Sequence, residues 1–402
     1  MKFILFVDDE PKILEGLRRM LRPYRTVWEM SFANGGEEAL AILDSGHYDV
    51  VVTDMKMPGM DGARLLEHVR DRHPSVIRLV LSGHFEREAG LRAVPVAHQF
   101  LVKPCQPEKL CEAIERCCSS NDIFDDASIQ SVVAAVGGLP ALPQSCAALL
   151  EALNKPDVPL AEVGRIIEGD VGMAAKVLQL VSSAFFGLSE EVAVVRSAVS
   201  YLGIDILKQL VLSVEIFRTF SPARTVQGFS LQGFQQHSRT VANIAARLPV
   251  AKNTSSVCVV AALLHDAGKL VMAAKLPEQF EAALSISMQE GRPLWAVERD
   301  LIGTSHAEIG AYLLALWGLP ETVTLAVRKH HKLEMKPSAP GLDIVAAVQV
   351  ADTLAYDCAK NPSQATPHDP LNIEYLACIG MEDEVPAWRA MAEQVIADTV
   401  PT

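Results

Sequence analysis

The chain contains 402 residues, of which 50% are hydrophobic and 21% are charged, and its formal net charge is -13 at pH 7. At about 100–200 residues per domain, this length predicts two or three domains with sizeable cores, and the composition excludes a disordered, collagenous or coiled-coil chain. The acidity argues against direct DNA binding, because a phosphate backbone attracts a basic surface.

The sequence also bears on the compartment of the protein. No apolar run approaches the roughly 20 residues of a membrane helix, and no basic and then apolar leader opens the chain. The eight cysteines show no CxxC spacing, which favours free thiols in a reducing environment. We therefore expect a cytoplasmic protein without a membrane span.

The charge is divided unevenly along the chain. Residues 1–119 hold 16 Lys and Arg against 18 Asp and Glu, whereas the remainder holds 20 against 31. The change falls at a run of small, polar and acidic residues from Ser119 to Asp126, which is typical of a connection between domains. We predict a domain over 1–119, a linker over 120–127 and a second domain over 128–395.

Short apolar runs alternate with amphipathic stretches in the first 119 residues. The apolar runs predict strands over 3–7, 27–32, 50–53, 77–81 and 99–102. The amphipathic stretches predict helices near 11–22, 36–45, 62–72, 86–94 and 107–118. Strict alternation of this kind indicates a doubly wound, flavodoxin-like α/β fold, with helices on both faces of a five-stranded parallel sheet.

Residues suited to phosphoryl chemistry follow these strands. Asp8 and Asp9 end the first strand, Asp54 the third, Ser82 the fourth and Lys103 the fifth. Because ligands bind beyond the carboxyl ends of the strands in such sheets, we expect these side chains in one crevice. Neighbouring carboxylates repel and favour a hard divalent cation such as Mg²⁺. Lysine and hydroxyl groups suit a phosphoryl group, and Asp54 is a candidate nucleophile.

These 119 residues resemble the receiver domain of two-component response regulators. The matching motifs are VDDE at 7–10, DMKMPGMDG at 54–62, LSG at 81–83 and LVKP at 101–104. The resemblance implies a sensor histidine kinase as partner, with Asp54 as the phosphoacceptor. A degenerate receiver that is never phosphorylated is the alternative. The other implied roles are Mg²⁺ binding by Asp8, Asp9, Asp54 and the Lys56 carbonyl, phosphoryl binding by Ser82 and Lys103, and an aromatic switch at Phe100.

From about residue 128 the sequence becomes helical in character. Apolar residues recur at i, i+3 and i+4 spacing, and prolines mark the breaks between segments. The length exceeds one small bundle. We therefore predict an all-α domain with a first lobe over about 128–225 and a second over about 230–395.

Histidines and aspartates gather in the apolar helical patterns of the second lobe. Imidazoles and carboxylates that project inward from several helices can form a metal site, and such sites hydrolyse phosphodiesters. A single histidine on an apolar helix is more often a hydrogen-bonded core residue, so both interpretations stay open for the set. The candidate ligands are His237, His265, Asp266, His306, His330, His331 and Asp352.

Residues 137–335 resemble the HD-related output domain, HDOD. The resemblance implies a regulatory output without hydrolase activity. The motifs that carry it are LPALPQ at 139–144, IIEGDVGMAAKVLQLVSSAFFG at 166–187, VRSAVSYLGIDILKQLVL at 195–212, HDAGKL at 265–270 and SHAEIGAYLLALWGLP at 305–320.

The seven candidate ligands also align with those of the HD-GYP cyclic-di-GMP phosphodiesterases, a similarity that implies Fe, Mn or Zn. The similarity also implies that Lys269 contacts a phosphate of the substrate. Gly233 stands where some of these enzymes have a glutamate ligand, and no GYP element follows His331. These two departures put the dinucleotide pocket in doubt.

Two main functions follow from these patterns. The first is a response regulator in which phosphorylation of Asp54 switches a non-catalytic HDOD output through contacts with a downstream signalling protein. The alternative is a receiver-controlled, metal-dependent phosphodiesterase that acts on cyclic-di-GMP or a related cyclic nucleotide. A sensor that binds a nucleotide without cleaving it is a third hypothesis. The receiver resemblance also implies a homodimer through the fourth and fifth helices.

Overall fold

A computed structural model describes residues 1–82, 97–103, 110–115, 225–251, 254–316, 319–333, 341–358 and 367–399, with residues 105, 108 and 163 as single positions. The chain divides into two compact units, and each is described by itself. The predicted helix near 86–94, the linker and, but for residues 163 and 225, the first helical lobe lie outside the described residues.

The first unit contains a parallel sheet of five strands with the spatial order β2-β1-β3-β4-β5. This order is that of a doubly wound, flavodoxin-like sheet, as the sequence predicted. In the register of the sheet, Val7 pairs with Thr53 and Thr53 with Val80, so residues that follow β1, β3 and β4 meet at one edge. The strands are β1 Lys2–Val7, β2 Trp28–Ala33, β3 Val50–Thr53, β4 Ile77–Ser82 and β5 Gln99–Val102.

The helices of this unit are α1 Pro11–Met20, α2 Gly36–Ser45 and α3 Gly62–Arg72, and residues 110–115 are helical. All four residues of β3 are buried, as expected for a strand that is covered on both faces. The prediction for α1 was two residues too long. The chain enters the 3-10 helix Arg22–Thr26 instead, because Pro23 lacks the N–H that would continue an α-helix.

In the second unit the described residues form helices and their connections, with one isolated β-bridge between Val250 and Leu342, in agreement with the predicted all-α class. In its interior α4 packs against α5 and α11, and α5 packs against α10. The helices are α4 Leu231–Ala245, α5 Ser255–Leu264, α6 Ala267–Lys275, α7 Pro277–Glu290, α8 Leu294–Ile302, α9 His306–Leu316, α10 Glu321–Lys329, α11 Ile344–Asp357, α12 Ile373–Cys378 and α13 Val385–Thr399, with a 3-10 turn at Glu382–Glu384.

One helical stretch among the described residues, Val257–Lys275, has the length and mean hydropathy (1.7) of a membrane span. The sequence expectation that no run comes close to this length was therefore wrong. The stretch was overlooked because His265, Asp266 and Lys269 interrupt its apolar residues. Since 83% of its most apolar window is buried inside the protein, it has the character of a core helix. The cysteines in the described part of the chain are free thiols.

Candidate functional site

The carboxyl ends of β1, β3 and β5 bring three charged side chains together. Asp8 follows β1, Asp54 follows β3 and Lys103 follows β5. The Lys103 ammonium lies 2.6 Å from Asp8 Oδ2 and 2.6 Å from Asp54 Oδ1. Burial opposes the ammonium charge, but hydrogen bonds to Asp54 and Asp8 outweigh it and raise the pKa of Lys103. The crevice therefore holds two carboxylates bridged by one cation.

The loop that carries Asp54 is fixed by its own backbone. The Lys56 N–H donates to Asp54 Oδ2 at 2.6 Å, and the Gly62 N–H donates to the Met55 carbonyl at 3.0 Å. A Cβ on Gly62 would lie 2.1 Å from the Asp54 carbonyl oxygen. Asp61 then caps α3 by accepting from the Arg64 N–H at 2.9 Å. A side chain at position 62 would consequently displace Asp54.

The other residues predicted for the crevice differ in what can be said of them. Asp9 is half-buried next to Asp8. By donor chemistry, the three aspartates and the Lys56 carbonyl fit Mg²⁺, which takes hard oxygen ligands. Ser82 ends β4 and pairs with Val102 in the register of the sheet, and Phe100 pairs with Val80. The side chains of Ser82 and Phe100 lie outside the described residues.

The helical unit brings all seven candidate metal ligands together in its interior. They form two groups in which the potential ligand atoms lie within 4.8 Å of one another. Five of the seven side chains are buried, and two are half-buried. The first group is Asp266, His306, His330 and His331, and the second is His237, His265 and Asp352.

Asp266 connects the two groups, because one of its oxygens faces each. Its Oδ1 lies 3.1 Å from His306 Nε2 and 3.8 Å from His330 Nε2, both in the first group. Its Oδ2 lies 3.3 Å from His265 Nε2. In the second group, Asp352 Oδ1 lies 2.9 Å from His237 Nε2 and 3.4 Å from His265 Nε2. A carboxylate between two ligand groups is an arrangement suited to a pair of metal ions.

Three of the histidines are held so that Nε2 faces the centre. His265 Nδ1 lies 2.7 Å from the Ala262 carbonyl, and His330 Nδ1 lies 2.6 Å from the Val327 carbonyl. His306 Nδ1 lies 2.6 Å from a Glu298 carboxylate oxygen. Because a carbonyl or carboxylate oxygen only accepts, each Nδ1 donates, and in the neutral ring that binds a metal each Nε2 carries the lone pair. Metal-binding histidines are oriented in this way.

Three atoms of this centre are buried and make no hydrogen bond with any described residue. They are His265 Nε2, His330 Nε2 and Asp266 Oδ1. A buried acceptor without a partner costs about 1 to 3 kcal/mol, and a cation at this point would satisfy all three. The donor set of imidazole nitrogens and carboxylates suits Zn, Fe or Mn. The residues therefore fit a metal.

The electrostatics of the centre agree with this donor set. Burial, with the neighbouring His265 charge, lowers the pKa of His330 to about 3, so this ring is neutral. Burial also opposes the charged forms of Asp266 and His265. Mutual attraction outweighs it, so the pKa of Asp266 lies well below its usual value and that of His265 is raised to about 10. Without a metal, His265 and Lys269 are thus the countercharges of the carboxylates.

A close approach of two helices positions the His265-Asp266 turn. A Cβ on Gly268 would lie 1.9 Å from the His306 carbonyl oxygen and 2.8 Å from the Gly310 N atom. Only glycine permits α6 to approach α9 this closely. The turn that carries two ligands is in this way set against the helix that begins with a third.

Lys269 lies at the edge of the centre. Its ammonium is 2.5 Å from Asp266 Oδ2, and burial, although it opposes the charge, is outweighed by Asp266, so the pKa of Lys269 is raised. Lys269 also borders a small cavity of about 20 Å³, which is room for about one water molecule. The cavity is lined by Lys269, Pro293, Leu294, Trp295, His306, His331, Tyr356, Pro367 and His368.

Sequence reasoning missed two carboxylates that contact the candidate ligands. Glu298 contacts His306, and Asp369 Oδ2 lies 3.4 Å from His331 Nδ1. The Trp295 indole N–H donates to the same Asp369 oxygen at 2.7 Å. Glu298 lies in the apolar stripe of α8 with Leu294 and Val297. An acidic residue at such a position could have been recognised from the sequence as a candidate for the site. Asp369 is separated from its partners by long stretches of chain and gave no such signal.

Comparison with known proteins identifies both units. Residues 4–115 match the response regulator receiver domain, and residues 139–333 match the HDOD domain. An uncharacterized protein of Treponema pallidum is 30% identical over 52% of this chain and 40% of its own length. The positive alginate biosynthesis regulatory protein of Pseudomonas aeruginosa is 41% identical over 30% of this chain and 48% of its own length. The matches thus span less than half of either relative.

A solved HDOD domain protein from Geobacter sulfurreducens is 22% identical, with a TM-score of 0.47, over 66% of this chain and 99% of that one. The two domain matches establish the class. This chain is a response regulator with an N-terminal receiver domain and a C-terminal, HD-related output domain of the HDOD family.

Proposed function

We propose that a sensor histidine kinase phosphorylates this regulator on Asp54, and that phosphorylation switches the HDOD output through contacts with a downstream signalling protein. The observation that carries the proposal is the Lys103 ammonium at 2.6 Å from both Asp8 and Asp54. A lysine in that position stabilises the anionic nucleophile and remains available to a phosphoryl oxygen after transfer.

In phosphoryl transfer the main role of the protein is to position the Asp54 carboxylate and to balance its charge. The phosphoryl group moves from a kinase phosphohistidine to Asp54, so a P–N bond breaks and an O–P bond forms. Mg²⁺, when bound, neutralises the phosphoryl oxygens and the carboxylates. The backbone N–H of Lys56 holds Asp54 Oδ2, and the phosphoryl group adds acceptor oxygens that draw Lys103 away from the carboxylates. New charge of this kind biases a structural element with two states.

The switch is tested by treating the full chain with acetyl phosphate and Mg²⁺. We expect hydrogen exchange in α4–α11, or the oligomeric state, to change in the wild type and in Asp49→Asn, but not in Asp54→Asn. Asp49 is a matched control, because it precedes β3 and accepts from the Phe3 N–H instead. Equal responses of the wild type and Asp54→Asn would contradict the proposal.

A metal-dependent phosphodiesterase is the second candidate, and the three buried atoms without hydrogen bonds favour it. Metal ions, when bound, activate water and neutralise phosphate. Asp266 would then connect the two ligand groups, and Lys269 would bind a phosphate oxygen at the cavity. The sequence after His331 has no GYP element, so the substrate class is cyclic-di-GMP or a related cyclic nucleotide that is bound without this element.

Metal analysis and a turnover assay separate these candidates. Protein expressed with Fe, Mn and Zn should retain metal, and His265→Ala and Asp266→Ala should lose it, whereas His47→Ala, which removes an exposed imidazole of the receiver, should not. Metal without turnover of cyclic dinucleotides supports a non-catalytic output. Absence of metal from the wild type would exclude the hydrolase.

We further propose that the helical domain extends over 128–395, after the receiver over 1–119 and the linker over 120–127, and that the protein is a cytoplasmic homodimer. Asp352 supports the extension, because it lies beyond the matched residues 139–333 and nonetheless contributes to the centre. Tyr356, which borders the same cavity, also lies beyond them.

A further inference from the structure

Glu298 is a fully buried carboxylate on α8 whose place is determined by one histidine. Its Oε2 accepts from the backbone N–H of His306 at 2.8 Å and from His306 Nδ1 at 2.6 Å. The side chain has 0% exposure. An acidic residue at a core position carries a large desolvation penalty, so its presence there indicates a specific electrostatic partner.

The contact with Glu298 determines which ring nitrogen of His306 is available to bind a metal. With its proton on Nδ1, the ring directs the Nε2 lone pair to the interior. His306 Nε2 lies 3.1 Å from Asp266 Oδ1 and 3.0 Å from His331 Nε2. A carboxylate on Nδ1 also increases the basicity of the ring as a ligand. Glu298 therefore acts on the first ligand group.

The two ligand groups differ in this support. In the first group His306 has Glu298, and His331 has the more exposed Asp369 at 3.4 Å. In the second group His265 is held by a neutral carbonyl, that of Ala262. Anionic partners strengthen a histidine ligand more than neutral partners do. The first group is therefore electronically favoured to bind a cation.

The second oxygen of Glu298 strengthens this conclusion. Glu298 Oε1 is buried and makes no hydrogen bond to any residue in the described part of the chain. A buried carboxylate with one free oxygen is stable only when positive charge lies nearby. A cation bound by His306 Nε2 would supply that charge through the imidazole.

We propose that Glu298 is a positioning residue, which makes the group of Asp266, His306, His330 and His331 the tighter of two metal sites. This inference rests on the metal centre considered under the proposed function. It assigns the order in which the two groups fill and names the residue that determines it.

Glu308, in the first turn of α9, offers a matched control. Its Oε2 accepts from the Ser305 N–H and the Ser305 hydroxyl, each at 2.9 Å. Like Glu298 it fixes the backbone that leads into α9, but its carboxylate contacts Thr304, Ser305 and Arg299 and not the His306 ring. A Glu308→Gln variant therefore reports on loop structure, whereas Glu298→Gln keeps an acceptor oxygen for His306 and removes only the charge.

The experiment is a titration of the metal-free full chain with Co²⁺, followed by calorimetry and by the visible spectrum of the bound ion. The wild type and Glu308→Gln should bind Co²⁺ in two distinguishable steps. Glu298→Gln should weaken the first step about 10- to 100-fold, as is typical when a partner of a metal-binding histidine is lost, and should leave the second step unchanged.

The outcomes are distinguishable. An unchanged first step in Glu298→Gln, or an equal loss in Glu308→Gln, would overturn the role of Glu298 but leave the metal centre intact. A wild type that binds no Co²⁺ would overturn the metal centre and this inference together. If Glu298→Gln fails to fold by circular dichroism, Glu298→Asp, which retracts the charge from the ring, should show the weakened first step. Wild-type affinity in that variant would overturn the proposal.

Discussion

The receiver crevice and the helical centre both place a lysine against aspartates, but they balance their charges differently. In the crevice one ammonium contacts both Asp8 and Asp54, so the protein provides the countercharge itself. In the centre Lys269 reaches Asp266, while His265 Nε2 and His330 Nε2 make no hydrogen bond to any described residue. The difference teaches that the carboxylates of the crevice share one lysine, whereas the helical centre leaves two buried imidazole nitrogens that a bound cation would satisfy.

Metal removal should give the largest effect if this contrast is correct. At a free metal concentration a thousand times the Kd, binding stabilises the helical unit by about 4 kcal/mol, which raises the Tm by about 10 °C. We expect Mn²⁺ or Zn²⁺ to produce this shift in the metal-free protein, measured by scanning calorimetry.

The metal-induced rise in Tm should depend on the candidate metal ligands. Asp266→Ala should abolish it, because Asp266 faces both groups. Asp300→Ala, which removes an exposed carboxylate from α8, should preserve it. A metal-induced shift that survives in Asp266→Ala would show that the ion binds elsewhere.

A side chain inserted between α6 and α9 should have the next largest effect on stability and metal binding. Gly268→Ala places a Cβ 1.9 Å from the His306 carbonyl oxygen, and such overpacking costs about 1 to 3 kcal/mol. We expect a lower Tm and weaker metal binding. Gly233→Ala is the control, since its Cβ meets only ordinary contacts at 3.6 Å or more. Unchanged metal affinity in Gly268→Ala would contradict our interpretation of this approach.

Removing the Lys103 charge from the receiver crevice should lower the local stability by a smaller amount, and the loss should depend on Mg²⁺. Lys103→Met leaves Asp8 and Asp54 without their cation, which we expect to cost about 2 kcal/mol. Mg²⁺ should restore part of the loss, because it replaces the missing charge. Hydrogen exchange of β1 and β3 amides measures this local stability, and Lys12→Met, on the exposed face of α1, is the control. If the β1 and β3 amides of Lys103→Met exchanged faster in Mg²⁺ than in EDTA, Mg²⁺ would not replace the charge of the Lys103 ammonium, and the result would contradict this prediction.

The sequence predicted the receiver fold closely, because its signals are local. Each strand is a short apolar run, and Asp8, Asp54 and Lys103 follow strand ends that a parallel sheet brings to one edge. The 3-10 helix at Arg22–Thr26 was missed, since this segment is too short to show a periodic apolar pattern and most of it falls between the predicted helix 11–22 and the predicted strand 27–32. Long-range contacts such as that of Lys103 with Asp8 follow from topology and not from spacing.

The helical centre was predictable by residue type but not by geometry. The seven ligands stand out because histidine and aspartate are unusual in apolar helices. Their division into two groups with Asp266 between them depends on how six helices pack, which periodicity does not specify. Glu298 was hidden because Arg299 and Asp300 follow it and give the segment the look of a solvated surface, although residue 298 falls on the buried stripe.

The most direct test of the account is the site of phosphorylation. The full chain is incubated with acetyl phosphate and Mg²⁺, the acyl phosphate is reduced with borohydride, and the peptides are sequenced by mass spectrometry. We predict that the modified residue is Asp54, and that Asp54→Asn carries no phosphoryl group while Asp49→Asn is modified like the wild type. Modification at another residue, or none in the wild type, would contradict the proposed switch.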